Sequence, residues 1–480
     1  MKKSSIKKNF AYQMIYEILI LILPFITSPY ISRVVGAEGL GNYSYSYSVA
    51  YFFVLFSMLG IKNYGNRAVA QVRNDDDKLN TVFSNLCMVH IFFSVVCLLV
   101  YIGYVFSIKD GQMFAILQLF YVASALLDIS WFYFGIEQFK LTVIRNVVIR
   151  LFNVIAIFVF VRNPLDMWKY CLIMSFSNFL SQLVLWMPLK KYVRFVKPSW
   201  MEMKIHIKPI FVLFVPAIAV SLYKYMDKIM VGALSDKIQL GFYDNADKVI
   251  NIPSTIIGAF GTVMLPKMSN LIANDDYQSV KRYVSLSIEL VMCLSMALAF
   301  GLASVASVFA PVFWGAEFSY SGLLIGVLSI TIPFVSFANV IRTQYLIPRE
   351  KDREYMSSVI IGAVINLIIN ALLIPSMGAI GASIGTVVSE ITVCFIQSFV
   401  VRNELTISKY IKSFLPFVLI GGAMYIVVYN IGQLLEPNIM TLIVQIIMGG
   451  IMYSLLSLVV FVKEKNQIIL NLLYKIKKGL

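Results

Sequence analysis

Lys224, Asp227 and Lys228 fall at spacings of three and four in an apolar stretch spanning 208–233, so on a helix they share one face and sum to one positive charge. Asp244, Asp247 and Lys248 repeat that spacing in the next apolar stretch, 240–264. An ionised side chain at the centre of a hydrocarbon layer costs about 2.5–3.5 kcal/mol, so these groups must pair with one another or face water. The first outcome makes them structural ion pairs, the second the wall of a cavity through which a solute or ion passes. Further ionisable residues stand in apolar surroundings at Glu17, Arg33, Asp128, Arg150, Glu289, Arg342 and Glu390. Arg33, Lys248 and Arg342 lie near enough to span ends for their heads to reach the interface instead.

Positioning such residues takes a particular kind of scaffold. The run Ile15 to Val35 is almost wholly apolar, and about thirteen runs of similar length follow it. Hydrophobic residues make up 59% of the 480 and charged residues 14%, an excess that no water-soluble core absorbs. A layer roughly 30 Å thick takes about 20 apolar residues per helix, and the chain parses into such lengths. The spacing predicts helices at about 10–35, 41–62, 79–107, 112–136, 140–161, 167–189, 208–233, 240–264, 281–310, 319–347, 355–374, 378–401, 412–432 and 439–462. The expected fold class is therefore all-α, a polytopic membrane protein of about fourteen spans. The runs are too long and continuous for a membrane β-barrel. The first run exceeds a signal-peptide core and no small-residue cleavage site follows it, so it is expected to stay as a helix.

The net charge of +15 does not indicate nucleic acid here, because the lysines and arginines sit in the joints. They concentrate in alternate joints, Lys2–Lys8, Lys62–Lys78, Lys190–Lys208, Lys267–Arg282, Arg349–Arg353, Arg402–Lys412 and Lys463–Lys478, which puts both termini on the cytoplasmic side. Five cysteines without Cys-x-x-Cys spacing look like packing residues, and with His90 and His206 the only histidines, neither a histidine-based metal cluster nor another cofactor is expected.

The longest polar joint divides the chain into a six-helix lobe (1–190), a cytoplasmic linker (191–207), a second six-helix lobe (208–402) and a terminal pair of helices with a tail (403–480). Gly41, Tyr43, Asn74, Asp75 and Asp76 recur as Gly241, Tyr243, Asn274, Asp275 and Asp276, a parallel repeat of the kind that places a transport site between two halves. Pro24, Pro29, Pro216, Pro253 and Pro333 interrupt spans and suggest bending elements. Tyr43, Tyr45 and Tyr47 alternate with serines, as in an interfacial aromatic belt or a sugar-stacking surface. Asn366 and Asn370, one turn apart, suit interhelical hydrogen bonds.

The segment Arg33-Val-Val-Gly36-Ala-Glu38-Gly39-Leu-Gly41-Asn-Tyr43 resembles the signature between the first two helices of bacterial polysaccharide flippases of the multidrug/oligosaccharidyl-lipid/polysaccharide exporter superfamily. Asp227-Lys228-Ile-Met-Val-Gly232, Leu240-Gly241-Phe-Tyr243, Leu265-Pro266-Lys-Met-Ser269, Leu373-Ile-Pro375 and Gly378-Ala-Ile-Gly381-Ala382 resemble later segments of that family. The resemblance implies a Wzx-type flippase in the bacterial cytoplasmic membrane. Its two lobes would enclose a cationic cavity, and it would carry an oligosaccharide on undecaprenyl pyrophosphate from the cytoplasmic to the outer leaflet. It implies no catalytic residues and no resident cofactor, leaves any Na⁺ or H⁺ coupling open, and makes a polysaccharide polymerase and chain-length machinery candidate partners beside membrane lipid. On that reading Lys224, Lys228, Arg33, Arg150, Lys248 and Arg342 contact pyrophosphate or saccharide. Asp227, Asp247, Asp128, Glu17 and Glu390 are charge partners or coupling groups. A multidrug antiporter of the same superfamily is the near alternative, although the lysines at 224 and 228 suit an organic cation poorly. A membrane glycosyltransferase or polymerase would want a larger outer loop than the few residues available here.

Overall fold

A computed structural model describes the backbone over residues 6–463 and side chains over 23–463, Tyr223 apart. In chain order the helices are α1 (Ile6–Met58), α2 (Ile61–Val72), α3 (Asp76–Ser107), α4 (Gln112–Leu126), α5 (Ser130–Gly135), α6 (Phe139–Phe160), α7 (Met167–Trp186) and α8 (Trp200–Leu234). They continue as α9 (Lys237–Ala273), α10 (Tyr277–Trp314), α11 (Ser319–Leu328), α12 (Thr331–Ile341), α13 (Asp352–Met377), α14 (Ala379–Val401), α15 (Ile407–Leu434) and α16 (Ile439–Lys463). A π-helical segment, Arg342–Leu346, continues α12, and no strand occurs among the described residues.

Among the described residues twelve stretches are long and apolar enough to cross a membrane, counting Leu23–Val72 once and leaving out a pair of helices, 316–328 and 331–349, bent by 43°. Leu23–Val72 holds 50 residues, about 75 Å of helix, more than twice the thickness of the hydrocarbon layer. Broken at Gly36 and between α1 and α2, it has length for more than one crossing, and with the bent pair as a thirteenth span the count approximates the expected fourteen. The outward side chains agree with a lipid solvent: Leu99, Phe106 and Phe395 are each more than 60% exposed, a surface that water would not tolerate in such number.

The turn between the first two spans is Gly36, with φ 72° and ψ −179° inside an otherwise continuous α1. Only glycine adopts that conformation without strain, since any Cβ would clash with the neighbouring backbone. Pro24 and Pro29 lie in the same helix without ending it, and the break in the tenth span falls at residues 329–330, ahead of Pro333. Gly36 and residues 329–330 thus mark breaks that the prolines alone did not point to.

Chain contacts divide the molecule into two units, Met1–Gly241 and Phe242–Leu480. In the first, α1 packs on α3, α4, α6 and α8, while Ile61, Phe83, Leu86, Trp131 and Phe132 form its fully buried centre. In the second, α10 packs on α11, α12, α15 and α16, α13 pairs with α14, and the centre holds Val284, Ile288, Ile341, Leu346 and Phe417. Hydroxyls inside the spans bond back to their own helix, as Thr343 does to the Asn339 carbonyl at 2.7 Å and Ser383 to the Ala379 carbonyl at 2.9 Å. A membrane interior supplies no other acceptor, so the local carbonyl is the default partner.

The sequence repeat has a physical counterpart. A Cβ placed on Gly41 would lie 1.7 Å from the Lys237 carbonyl oxygen, and one on Gly241 would lie 2.0 Å from the Ala37 carbonyl oxygen. The two glycines therefore let the second half of α1 and the start of α9 touch backbone to backbone, each using the position four residues before the other's counterpart. The aspartates after the second and eighth spans are helix caps. Asp75 accepts from the Lys78 amide at 3.1 Å to start α3, and Asp276 accepts from the Ser279 amide at 3.1 Å to start α10. These hydrogen bonds hold both carboxyls below the ordinary aspartate value.

Candidate functional site

In the first unit α8 presents the expected trio, with Asp227 buried at 5% exposure, Lys228 half-buried and Lys224 exposed. No ion pair holds Lys224 among the described residues. Lys228 lies within electrostatic reach of the Tyr47 phenol, and Pro216 sits two turns earlier on the same helix.

Beside this charged strip runs a set of tyrosines whose extent the sequence did not reveal. Tyr43, Tyr47 and Tyr51 stand four residues apart on α1, with ring centroids 5.8 Å and 6.5 Å apart in succession. Tyr170 meets Tyr43 edge-on at 4.8 Å, Tyr121 stacks on Tyr47 at 5.0 Å and Tyr225 stacks on Tyr51 at 4.0 Å. The Tyr51 and Ser221 hydroxyls share a hydrogen bond of 3.2 Å. Tyr45 points elsewhere, its ring covered by the Lys237 ammonium at 3.3 Å. Side chains from α1, α4, α7 and α8 thus form one aromatic wall instead of a single layer of rings at one depth.

Other charged residues of this unit are dispersed. Arg33 is exposed, Arg150 half-buried, and Asp128 bonds the Ser130 amide at 2.9 Å while standing close to the buried His90. Glu17 lies outside the described residues. Arg145, absent from the sequence-based candidates, is the more deeply placed arginine of α6 at 9% exposure. It donates to Gln182 Oε1 at 2.9 Å, to the Ser181 carbonyl at 3.3 Å and to Asn146 Oδ1 at 2.7 Å. Asn146 beside it and the Ser181-Gln182 pair in the next span were the only available signal.

In the second unit Lys248 is engaged by Asp244 at 2.6 Å, and Asp247 accepts from Asn251 at 2.9 Å, so the second charged triplet is largely tied up within α9. Arg342 donates to the Tyr355 hydroxyl at 3.5 Å and lies over its ring, while Glu390 is half-buried on α14. Asn366 and Asn370 bond each other at 3.1 Å and are buried. An apolar cavity of about 1230 Å³ lies among α10, α11, α12, α14 and α15, lined by residues such as Met296, Phe300, Phe334 and Phe414, with Arg402 its one charged lining residue. Its lining suits hydrocarbon and offers a charged headgroup only that single arginine.

A denser ionic cluster ties three segments of the second unit together where the bent pair 316–349 ends. Glu404 accepts from Lys351 at 2.5 Å, from the Tyr345 hydroxyl at 2.5 Å and from Arg349, whose guanidinium lies 5.0 Å from the Tyr277 ring. Burial alone would raise the Glu404 carboxyl, but the hydrogen bonds from Lys351 and Tyr345 and the charges of Lys351 and Arg349 outweigh it and hold it below its usual 4.5. Its stabilising contribution is therefore complete above that value and disappears as pH falls through the lowered one. Glu404→Gln should melt at lower temperature than the parent in detergent at pH 7, with the difference closing on acidification well below pH 4.5.

The profile of the family described as "Polysaccharide biosynthesis protein" matches residues 6–272, more than half of the chain. The protein belongs to that family. Among its relatives is the "Putative O-antigen transporter" of Shigella dysenteriae, 21% identical over 392 residues, which span 81% of this chain and 98% of the relative. The capsular polysaccharide biosynthesis protein CapF of Staphylococcus aureus is 23% identical over 405 residues, 80% of this chain and 96% of its own. Among solved structures, the lipid II flippase MurJ in an inward closed conformation superposes with TM-score 0.73 at 15% identity, covering 95% of this chain and all of that one. An inward-facing multidrug resistance MATE transporter of the MOP superfamily gives 0.61 at 12% identity, covering 82% of this chain and 99% of the other. At such identities the likeness fixes the fold of this family member and nothing finer. The Shigella relative is named as a transporter and the two solved structures as a flippase and a transporter, and this family member is a multi-pass membrane protein of that architecture rather than an enzyme.

Proposed function

We propose that the protein is a flippase that turns a polyprenyl-pyrophosphate-linked oligosaccharide from the cytoplasmic to the outer leaflet of a bacterial cytoplasmic membrane. The observation that carries this reading is the strip of lysines on α8, Lys224 exposed and Lys228 half-buried, on a continuous helix that includes the candidate span 200–222 of a polysaccharide-biosynthesis family member. A lysine in that position needs a wet, anionic counterpart, and a diphosphate supplies two or more oxygens for charge-assisted hydrogen bonds. The family name and relatives named for O-antigen and capsule support a saccharide cargo.

In this proposal Lys224 and Lys228 meet the diphosphate first. Arg33, Arg150, Lys248 and Arg342 would engage it or the sugar along the path, Lys248 and Arg342 by exchanging Asp244 and Tyr355 for the cargo. Asp227, Asp247, Asp128 and Glu390 would restore neutrality when the cargo leaves or carry a coupling ion. The lobes 1–190 and 208–402 would rock about the linker 191–207, and the basic joints would hold both termini in the cytoplasm. Lysines on α8 favour an anionic headgroup over an organic cation, which separates the proposal from a drug antiporter of the same fold.

The direct test is reconstitution. Purified protein in liposomes loaded with the lipid-linked glycan that accumulates on deleting the gene should raise the fraction of glycan accessible to an added glycosidase above that in protein-free liposomes. No increase, together with drug resistance on expression and unchanged surface polysaccharide, would refute it.

A further inference from the structure

We infer that the tyrosine wall of the first unit is a saccharide-binding platform, along which the sugars of the cargo lie while the lysines of α8 hold its diphosphate. This inference rests on the flippase reading and specifies where the glycan goes.

The rings of the wall are placed differently from the core tyrosines. Tyrosines that serve only the core of this protein are fully buried and end on a backbone carbonyl, as Tyr101 does on Ala115 at 2.9 Å and Tyr133 on Leu185 at 2.6 Å. Tyr43, Tyr47, Tyr51, Tyr121, Tyr170 and Tyr225 are instead all partly exposed. The serines that alternate with them on α1 are closed off, Ser44, Ser46 and Ser48 being 4%, 8% and 0% exposed. The helix thus hides its small hydroxyls and leaves its large rings at a surface.

That surface is wet rather than oily. Lys228 stands near Tyr47, and Tyr225 lies one residue from the exposed Lys224 on the strip that carries Asp227. Ammonium groups are not accommodated against acyl chains. A hydrated surface of phenol rings has a specific use. Ring faces pack against the C–H faces of a pyranose, and phenol hydroxyls give and take hydrogen bonds with its hydroxyls. From Tyr43 to Tyr51 the wall runs about 12 Å along α1, at 1.5 Å per residue, enough to support more than one sugar ring. Stacking on successive rings tolerates variation in cargo, as aromatic platforms do for successive bases in single-stranded nucleic acid. The lysines lie along the Tyr47–Tyr51 part of the wall and so give the glycan its polarity, diphosphate to α8 and sugars toward Tyr43 and Tyr170.

The test separates sugar from headgroup. Binding to the full-length protein in detergent is measured by native mass spectrometry with two probes, undecaprenyl pyrophosphate and the glycan-bearing lipid extracted from the deletion strain. Tyr47→Ala and Tyr225→Ala should weaken the glycan-bearing lipid at least about tenfold and leave undecaprenyl pyrophosphate within about twofold, whereas Tyr47→Phe keeps most of the affinity for both. Equal loss for the two probes, or loss for neither, overturns the platform while leaving the flippase reading in place. A parent protein that binds neither probe overturns both. Should an alanine variant unfold, Tyr47→Leu and Tyr225→Leu fill the space without a ring face and give the same discrimination.

Discussion

Gly41→Ala is expected to destabilise the protein by about 3 kcal/mol, at the upper end for overpacking, and Gly241→Ala should do the same. The obstruction in each case is a carbonyl oxygen, 1.7 Å from the Gly41 position and 2.0 Å from the Gly241 position, and backbone cannot swing aside as a flexible side chain does. Relief requires the second half of α1 to move off the start of α9, which also breaks the close approach made by the other glycine. The two substitutions should therefore be less than additive, because the first already opens the contact that the second would crowd. Gly258 and Gly326 supply the control, having nothing within 4 Å of where an added methyl would stand. Alanine there should be neutral or stabilise by roughly 0.5–1 kcal/mol through helix propensity. Melting temperatures of the four variants in one detergent decide the matter: equal losses at all four would mean that glycine matters here for flexibility and not for contact.

The second large effect concerns the cations. Replacing Lys224 and Lys228 together by alanine should lower glycan translocation about a hundredfold or more at normal expression, since charge-assisted hydrogen bonds contribute about 1.5–3 kcal/mol each and 1.4 kcal/mol is a factor of ten. Lys228→Arg should retain much of the activity, because a guanidinium offers the diphosphate at least as many donors. Lys224→Ala alone should keep its melting temperature, as Lys224 is exposed and no ion pair holds it among the described residues. The observable is surface polysaccharide restored in a deletion strain, with membrane abundance of each variant measured in parallel. Full restoration by the double alanine variant would remove these lysines from any role in the cycle.

How far the sequence led depended on which physical signal carried the information. Span positions were legible because length and hydropathy alone define them: the expected helices at 79–107, 140–161, 378–401 and 439–462 compare with Asp76–Ser107, Phe139–Phe160, Ala379–Val401 and Ile439–Lys463. The repeat at Gly41 and Gly241 was also legible, but its meaning was not, since spacing says nothing of what a glycine touches. Arg150 was chosen over Arg145 because α6 is apolar all round, so periodicity cannot tell which arginine, some 140° away on the helical wheel, faces the interior. Tyr121, Tyr170 and Tyr225 come from three different helices and meet Tyr43, Tyr47 and Tyr51 only through tertiary packing. Prolines attract attention as kink formers, yet Gly36 and residues 329–330 carry the breaks. The Glu404 cluster joins residues more than fifty positions apart and left no local trace.

The π-helical stretch from Arg342 to Leu346 fits one more residue into a turn than an α-helix would. Deleting a single residue there should close the bulge into regular α-helix and leave the residues beyond it nearly in place. Gln344, buried with neither amide atom bonded among the described residues, would be the natural residue to lose. Arg349 and Lys351 should then keep Glu404, so relatives one residue shorter in this stretch ought still to carry an acid after the twelfth span.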